Sequence, residues 1–287
     1  MTLKEILHKA SLEHWAVGHF NVSNLEQLKA VVDGAKKVKA PVMIGTSEGE
    51  RNWLGLKQIV VLINSWREDY PFIFLNADHT KTVQGAFEAI EAGYYSIHLD
   101  GSKLSFEDNI TQTKEVTDKA KVWDPEISVE GELGYIAGES QKSSKVIDIK
   151  PEDYTDPDQA SQFVLSTGVD RLAVAVGNIH GINLNEPKLD FERIGTIKKA
   201  VGEKVSLVLH AGSGIPDEDI KKAIFAGMAN VHISTELRVA FREGLEKALK
   251  DKPDEYSPYK LYAQDVAEME EIVVKKLELF GSAGRIT

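Results

Sequence analysis

Three histidines occupy equivalent places relative to three apolar segments of the chain. His79 and His210 each end such a segment, and His180 follows another at a short distance. Three imidazoles that converge and leave a fourth position open form a common type of catalytic zinc site. A single histidine at the end of a strand is more often a hydrogen-bonded structural residue than a ligand. The zinc prediction therefore depends on the three histidines occurring together.

Two acidic residues, Asp100 and Glu132, end two further apolar segments, where they could orient the imidazoles or provide a second metal position. The chain contains no cysteine, so any metal site must use histidine, aspartate and glutamate. His98 lies inside an apolar segment and is predicted to pack there. The histidines near the amino terminus are predicted to be structural or surface residues: His8, His14 and His19.

A loop of small residues, 210–216, follows one apolar segment and precedes a predicted helix. Small residues allow backbone N–H groups to approach an anion, and the last loops of α/β barrels frequently bind phosphate. Ser234, Thr235 and Arg238 follow the final apolar segment, where two hydroxyls and a guanidinium could complete the anion site. The alternative is that the glycines only shape a tight turn.

Apolar segments of this kind recur eight times along the chain. Several are almost continuously apolar, which is typical of parallel strands buried on both faces. They cover residues 16–21, 41–47, 72–79, 96–100, 127–132, 171–177, 205–210 and 231–235. Helical patterns lie between them. One of these follows Ser23 and has Glu26 three residues on, which is the spacing of a capping box.

Eight strands that alternate with helices in 287 residues predict an α/β fold, a single (β/α)8 TIM barrel. A doubly wound open sheet is the alternative, but it usually has a glycine-rich turn after its first strand, and this chain has none there. Barrel active sites are built at the carboxyl ends of the strands. The barrel therefore brings the histidines, the carboxylates and the anion loop to one face.

Two segments interrupt the alternation of strands and helices. Residues 134–150 form a long polar connection that is either a lid over the site or a disordered insertion. Residues 251–258 form a proline-containing linker before a last helical pattern. We predict one domain over residues 1–287 with an extra C-terminal helical extension, about residues 253–287, which covers the base of the barrel or packs on a partner subunit.

The balance of charge is acidic, with 34 basic and 45 acidic residues and a net charge of −11. Such a chain is a poor general partner for nucleic acid or an anionic membrane, so we expect neither. The amino-terminal residues lack the apolar core of a signal peptide, and no stretch approaches ~20 uncharged apolar residues. We therefore expect a cytoplasmic protein.

Six motifs occur in order along nearly the whole chain. They are Asn76-Ala77-Asp78-His79, Asp100-Gly101-Ser102, Glu130-Gly131-Glu132-Leu133-Gly134, Gly177 with His180-Gly181, His210-Ala211-Gly212-Ser213-Gly214, and Thr235-Glu236-Leu237-Arg238. In order and spacing these motifs resemble the class II, zinc-dependent ketose-bisphosphate aldolases, and most closely the short fructose- and tagatose-bisphosphate aldolases.

This resemblance implies reversible aldol cleavage of a ketose 1,6-bisphosphate, of the fructose or tagatose type, to dihydroxyacetone phosphate and glyceraldehyde 3-phosphate. Asp78 would be the acid/base at the C4 hydroxyl, and Glu139 in the long connection would move protons at the enediolate carbon. The implied zinc ligands are His79, His180 and His210, with Asp100 and Glu132 used when the metal shifts.

The resemblance also implies a set of substrate-binding residues. The positions that hold dihydroxyacetone phosphate are matched by Gly181, Ala211, Gly212, Ser213, His232, Ser234 and Thr235. Asn21 and Ser47, at the ends of the first two strands, and Arg238 complete the predicted set. A monovalent cation (Na+ or K+) near the phosphate and a homodimer or homotetramer are further expectations from the family.

Five positions depart from the family pattern. His232 replaces the usual Asn, and is either a fourth imidazole near the metal or a changed specificity contact. Asn183 and Leu184 stand where a Tyr and a phosphate-side Lys are common, and Ser140 where many relatives have a second acidic residue. Ser234 replaces the Asp typical of fructose-bisphosphate enzymes. The residues therefore indicate the class of reaction better than the identity of the sugar.

Three other hypotheses stay open. A Schiff-base aldolase needs a desolvated lysine at a strand end, whereas Lys81 and Lys103 lie just beyond the strand ends. A metallohydrolase of the histidine-rich barrel kind commonly has a closely spaced histidine pair on its first strand, and here that strand has one histidine. The third hypothesis is an altered relative, either an aldolase for another sugar phosphate or a binder without catalysis.

Overall fold

Eight parallel strands close into a barrel in the computed structural model of the chain, which describes residues 1–144 and 146–286. The strands are Val17–Asn21 (β1), Val42–Thr46 (β2), Ile73–Thr80 (β3), Ser96–Leu99 (β4), Ser128–Leu133 (β5), Gly138–Lys142 (β6), Arg171–Val174 (β7), His180–Ile182 (β8), Ser206–Leu209 (β9) and Met228–Ile233 (β10). All but β6 and β8 belong to the barrel, in chain order around it. The predicted (β/α)8 barrel is confirmed.

Helices surround the barrel and connect its strands. They are Leu3–Leu12 (α1), Leu25–Val38 (α2), Glu48–Leu54 (α3), Leu56–Asp69 (α4), Val83–Ala92 (α5), Phe106–Trp123 (α6), Pro157–Thr167 (α7), Phe191–Val201 (α8), Asp217–Ala226 (α9), Thr235–Asp251 (α10), Pro258–Leu261 (α11) and Ala263–Leu279 (α12). The strands are buried on both faces, because apolar residues of the helices cover the outside of the barrel. Their carboxyl ends are therefore held in fixed positions relative to one another.

The predicted C-terminal helix is present as α12, but it does not cover the base of the barrel. It packs on α2, where Gly34 lies against the side chain of Val273. The base is covered by α1 instead, because the apolar face of α1 forms a separate cluster with Trp15 and Phe74. Thr287, at the end of the predicted extension, lies outside the described residues.

The long connection 134–150 contains a strand rather than only a polar loop. Strand β6 pairs in parallel with β8 and forms a two-stranded sheet outside the barrel. A disordered insertion is thus the wrong description of residues 138–142, and Lys145 of this connection lies outside the described residues. The pairing brings the connection next to His180, which begins β8.

The N-cap of α2 lies one residue further along the chain than the sequence predicts. Asn24, not Ser23, caps α2, and its Oδ1 accepts from the backbone N–H of Gln27 at 2.9 Å. The Ser23 hydroxyl is used elsewhere, since it donates to Gln27 Oε1 at 2.9 Å. Among the described residues, none of the helices has the length and apolar character needed to cross a membrane.

Candidate functional site

A cavity of about 230 Å³ opens at the carboxyl ends of the barrel strands. It brings together most of the residues that the sequence predicts for the site: Asn21, Ser47, Asp78, His79, His180, Gly181, His210, Ala211, Ser213, His232, Ser234, Thr235 and Arg238. The other predicted residues lie around it. Gly212 lies against the backbone of His232, and a neighbouring cavity of about 320 Å³ is lined by Asp100, Glu132 and Glu139.

The rings of His79, His180 and His210 surround one region of the first cavity. The ring centre of His79 is 4.8 Å from that of His210 and 5.3 Å from that of His180, and the third separation is 6.3 Å. Zinc lies about 2.0–2.1 Å from each coordinating nitrogen, which places the centres of tetrahedrally arranged rings roughly 5 Å apart. The spacing of His79 and His210 fits zinc, and their ring nitrogens lie within 4.8 Å of each other and of His98 and Asp78. The His180 ring lies further from His210 than bound zinc requires, so it must move closer to complete a three-histidine site.

Two carboxylates, that of the partly exposed Asp100 and that of the buried Glu130, fix the orientation of two of these rings. Asp100 Oδ2 lies 3.0 Å from His79 Nδ1, and Glu130 Oε1 lies 2.7 Å from His210 Nε2. The remaining nitrogens, His79 Nε2 and His210 Nδ1, face each other at 3.2 Å. A carboxylate that accepts one ring N–H leaves the other ring nitrogen free to bind a metal. The carboxylates thus turn both free nitrogens toward the same point.

Two histidines of this cluster, His180 and His79, differ in charge. Burial lowers the pKa of His180 to about 3, with the charges of His79 and His210 acting in the same direction, so the ring is neutral at pH 7. Burial also lowers the pKa of His79, but Asp78 and Asp100 outweigh it and raise the pKa to about 9. A metal that binds His79 must therefore displace a proton.

Asp78 lies beside the cluster and has almost no exposed surface. Its Oδ2 accepts from Asn21 Nδ2 at 2.9 Å, while Oδ1 lies 3.5 Å from His98 Nδ1 and 3.6 Å from His232 Nδ1. Burial raises the pKa of Asp78, but the surrounding imidazoles, His79 first, hold it well below its usual value. The carboxylate is therefore ionised and available as a base.

The opposite wall of the cavity has the features of an anion site. Helix α10 begins there, its preceding residue Ser234 makes no side-chain cap, and the buried Ser234 hydroxyl has no partner among the described residues. Ser213 Oγ accepts from the N–H groups of Ser234 and Glu236, each at 3.3 Å, which fixes the loop on the helix. A Cβ at Gly212 would lie 2.8 Å from His232 O, so the loop requires glycine there. Such a helix start binds anions readily.

Arg238 lines the same cavity, and its guanidinium is engaged by protein groups. Its guanidinium lies 2.6 Å from Glu50 Oε1 and donates to Ser140 O at 2.9 Å. The arginine therefore connects α10 with α3 and with strand β6. Glu139, the neighbour of Ser140, accepts from Gln141 Nε2 at 2.8 Å and faces the second cavity.

Three residues of the site were missed or misread in the sequence. His98, expected to pack, is fully buried between the carboxylates of Asp78 and Glu132, and its Nε2 lies 3.2 Å from Glu132 Oε2. His19 is also buried, and its ring stacks on that of His232 with centres 3.6 Å apart. Glu130 was not considered as a functional residue. Each lies two residues before a predicted strand-end residue, and side chains two apart in a strand share a face.

His232 lies beside the proposed ligand His210. Its ring is stacked on His19 and tilted against His210, with ring centres 3.6 Å and 4.0 Å away, and one of its ring nitrogens lies within 4.8 Å of ligand atoms of Glu130 and His210. Its Nε2 lies 3.2 Å from Asn230 Oδ1, deeper in the barrel. Parallel rings cannot direct their in-plane lone pairs at one ion, so the stacked pair is better suited to contact substrate or Asp78 than to chelate.

Comparison with known proteins identifies the family. The sequence model described as Fructose-bisphosphate aldolase class-II matches residues 1–285. The chain is 34% identical to the "Probable fructose-bisphosphate aldolase" of Bacillus subtilis (strain 168), over 99% of each chain. It is 36% identical to the "Sulfofructosephosphate aldolase" of Alkalicoccus urumqiensis, over 98% of this chain and 96% of the relative.

A solved structure agrees with this assignment. The YdjI aldolase from Escherichia coli K12 superposes with a TM-score of 0.84 at 35% identity, over 99% of this chain and 98% of the other. The match covers the barrel, the connections that carry the cavity and the C-terminal helix. The chain belongs to the class II fructose-bisphosphate aldolase family.

Proposed function

We propose that the protein is a zinc-dependent aldolase that reversibly cleaves a phosphorylated ketose between C3 and C4, releasing dihydroxyacetone phosphate and an aldehyde. One observation carries the proposal. His79, His180 and His210 line a cavity that also holds an ionised, buried Asp78 and the start of helix α10. A metal site, a base and an anion site are the three parts that this reaction needs.

Zinc, held by His79, His180 and His210, would supply the Lewis acid that polarises the ketose carbonyl. The phosphate of the dihydroxyacetone half is assigned to the start of α10 with Gly181 and the loop 211–213. This placement extends the ketose from the anion site toward Asp78. Asn21 holds the Asp78 carboxylate in position through its 2.9 Å hydrogen bond.

Asp78 is the general base for cleavage. It takes the proton of the C4 hydroxyl, the C4–O bond becomes the aldehyde carbonyl, and the electron pair of the C3–C4 bond stays on C3. Glu139, on β6, is assigned the transfer of a proton to C3. In condensation the steps reverse, and Asp78 returns its proton to the new C4 hydroxyl.

The aldehyde half of the substrate is a narrower proposal. Fructose or tagatose 1,6-bisphosphate, each giving glyceraldehyde 3-phosphate, are the first choices, and an altered sugar phosphate is the alternative. The two relatives are named for different ketose phosphates at similar identity, 34% and 36%. The bound monovalent cation, the homodimer or homotetramer and the cytoplasmic location stay predictions.

The test is a cleavage assay on a panel of fructose 1,6-bisphosphate, tagatose 1,6-bisphosphate and sulfofructose phosphate, following triose phosphate release. We expect a chelator to abolish cleavage and zinc to restore it. Asp78→Ala should lower kcat by roughly 10²–10⁴-fold with zinc still bound. The control is Asp118→Ala, which removes an exposed carboxylate on α6. Cleavage that survives complete metal removal, or substrate trapped on a lysine by borohydride, would refute the proposal.

A further inference from the structure

Two adjacent residues of β3, Asp78 and His79, both direct their side chains into the cavity. Successive side chains of a regular strand point to opposite faces, so a regular β3 would place one of the two in the surrounding helical layer. Asp78 contacts Asn21 and His79 contacts Asp100, both at the mouth of the barrel. The end of β3 must therefore be irregular, and something must hold it so.

The irregularity is a bulge. Ala77 pairs with Ile97 and Thr80 with Leu99 on β4, so three steps of β3 span two steps of its neighbour. His79 has φ of +44°, in the left-handed region that residues other than glycine rarely adopt. Bulges beside active sites serve to redirect side chains. Here the bulge turns the His79 ring toward His210.

Arg51 holds both sides of this bulge. Its side chain, only 4% exposed, reaches from α3 under the end of β3. One terminal nitrogen donates to Asp78 O at 3.1 Å and to Thr46 O at 2.9 Å, and the other donates to Thr80 Oγ1 at 3.0 Å. The planar guanidinium thus joins the carboxyl ends of β2 and β3. A lysine ammonium cannot span these three acceptors at once.

We propose that Arg51 is a positioning residue for the metal site. By fixing Asp78 O and Thr80 Oγ1, it keeps His79 in its left-handed conformation with Nε2 facing His210. It touches neither a proposed ligand side chain nor the cavity. The proposal rests on the proposed function, because it assumes that His79 binds zinc.

The test compares Arg51→Met with Arg67→Met. Arg67 is a matched control, since it reaches from α4 to the other end of the same strand, where it donates to Ile73 O and lies over the Phe74 and Tyr95 rings. The measurements are the Kd for Zn2+ alone by chelator competition, the visible spectrum with Co2+ alone, and Tm. A crystal structure of metal-free Arg51→Met reports the φ of His79.

We expect Arg51→Met to weaken Zn2+ binding about 10–100-fold and to change the Co2+ spectrum, as other residues that orient metal ligands do. Arg67→Met should lower Tm while its Kd for Zn2+ stays within about twofold of the unmodified protein. In the metal-free Arg51→Met structure, His79 should return to negative φ. If Arg51→Met does not fold, Arg51→Lys is judged by the same criteria.

An unchanged Kd in the Arg51 variants, or an equal loss in Arg67→Met, would overturn the proposal. A positive φ at His79 in the crystal structure of metal-free Arg51→Met would also overturn it. The proposed function is tested separately by Zn2+ binding and cleavage in the unmodified protein. If the unmodified protein binds Zn2+ and cleaves its substrate, and Arg51→Met binds Zn2+ equally well, the proposed function stands and only the role of Arg51 is refuted.

Discussion

Glu130→Gln is the most informative single substitution in the core of the site. The carboxylate of Glu130 joins two partners that have almost no exposed surface: Oε1 lies 2.7 Å from His210 Nε2, and Oε2 lies 2.5 Å from a terminal nitrogen of Arg171. Burial raises the pKa of Glu130, but Arg171 and His98 lower it to about 2, so the group is ionised at neutral pH. Glutamine keeps the shape and removes the charge.

Neither orientation of the glutamine amide preserves both interactions of the Glu130 carboxylate. With its oxygen toward Arg171, its NH2 group faces His210 Nε2, which must then lose its hydrogen. The hydrogen moves to Nδ1, the nitrogen that faces His79 and the proposed metal position. With its oxygen toward His210, the NH2 group opposes the Arg171 guanidinium. The first arrangement blocks the zinc ligand, and the second places donor against donor.

The expected changes in Tm and in zinc affinity follow from these two effects. Removing one partner of a buried ion pair costs about 3–5 kcal/mol, because the other charge stays buried without compensation. At roughly 2–4 °C per kcal/mol for a chain of this size, Tm should fall by roughly 6–20 °C. Losing the carboxylate that orients a metal-binding imidazole should weaken zinc binding about 10–100-fold.

The assay is thermal unfolding in chelator, together with chelator competition for Zn2+. Glu126→Gln, an exposed glutamate just before β5, is the control and should change neither value. Combining Glu130→Gln with Arg171→Met removes the uncompensated charge but also the hydrogen bonds of Arg171 to Asn230 and Asn76. The double variant should therefore recover part of the Tm without recovering zinc affinity. Zinc affinity within twofold of normal in Glu130→Gln would refute the assigned role of this carboxylate. Recovery of both properties in the double variant would show that only the buried charge matters.

Two further substitutions test other parts of the molecule. Gly181→Ala should raise KM, because a Cβ at this residue, which has φ of +90°, would lie 2.4 Å from Glu139 O and force β6 away from β8. Gly195→Ala is the control, since a Cβ there meets open space. Equal KM values for the two variants would contradict the prediction. Burial and then Glu268 raise the pKa of Asp265, whose two carboxylate oxygens have no partner among the described residues. A raised pKa means that the folded state holds the proton and loses stability as pH rises. Asp265→Asn should therefore raise Tm at pH 8 but not near pH 3.5, and a Tm gain independent of pH would be inconsistent with this reasoning.

The barrel could be predicted because its strands are buried on both faces and therefore read as apolar runs. Residues 171–174 and 206–209 became strands within the predicted segments, and the histidine that follows each strand, His180 and His210, lines the cavity. Strand ends are easy to find in a sequence, since the run of apolar residues ends there. His79 and His210 were located in this way, and both line the cavity.

Residues inside the strands were harder to assign, because an imidazole or carboxylate within an apolar run can point either into the barrel or toward the surrounding helices. His98 and Glu130 point into the barrel with the strand-end residues Asp100 and Glu132, two positions further on. This alternation was available in the sequence and was not used. The β3 bulge was not predictable from local sequence, because its register depends on β4 and on Arg51, which comes from α3, the helix that follows β2.

The three proposed zinc ligands differ in how firmly they are held. His79 is fixed by the bulge and by Asp100, and His210 is fixed by Glu130, so both are attached to the closed barrel. His180 begins β8, outside the barrel, and in the described part of the chain its ring nitrogens have no hydrogen-bond partner. Its backbone N–H instead donates to Ala137 O at 2.8 Å, next to β6. Because β6 also carries Glu139, a displacement of this strand is expected to move one proposed metal ligand and one proposed proton donor together.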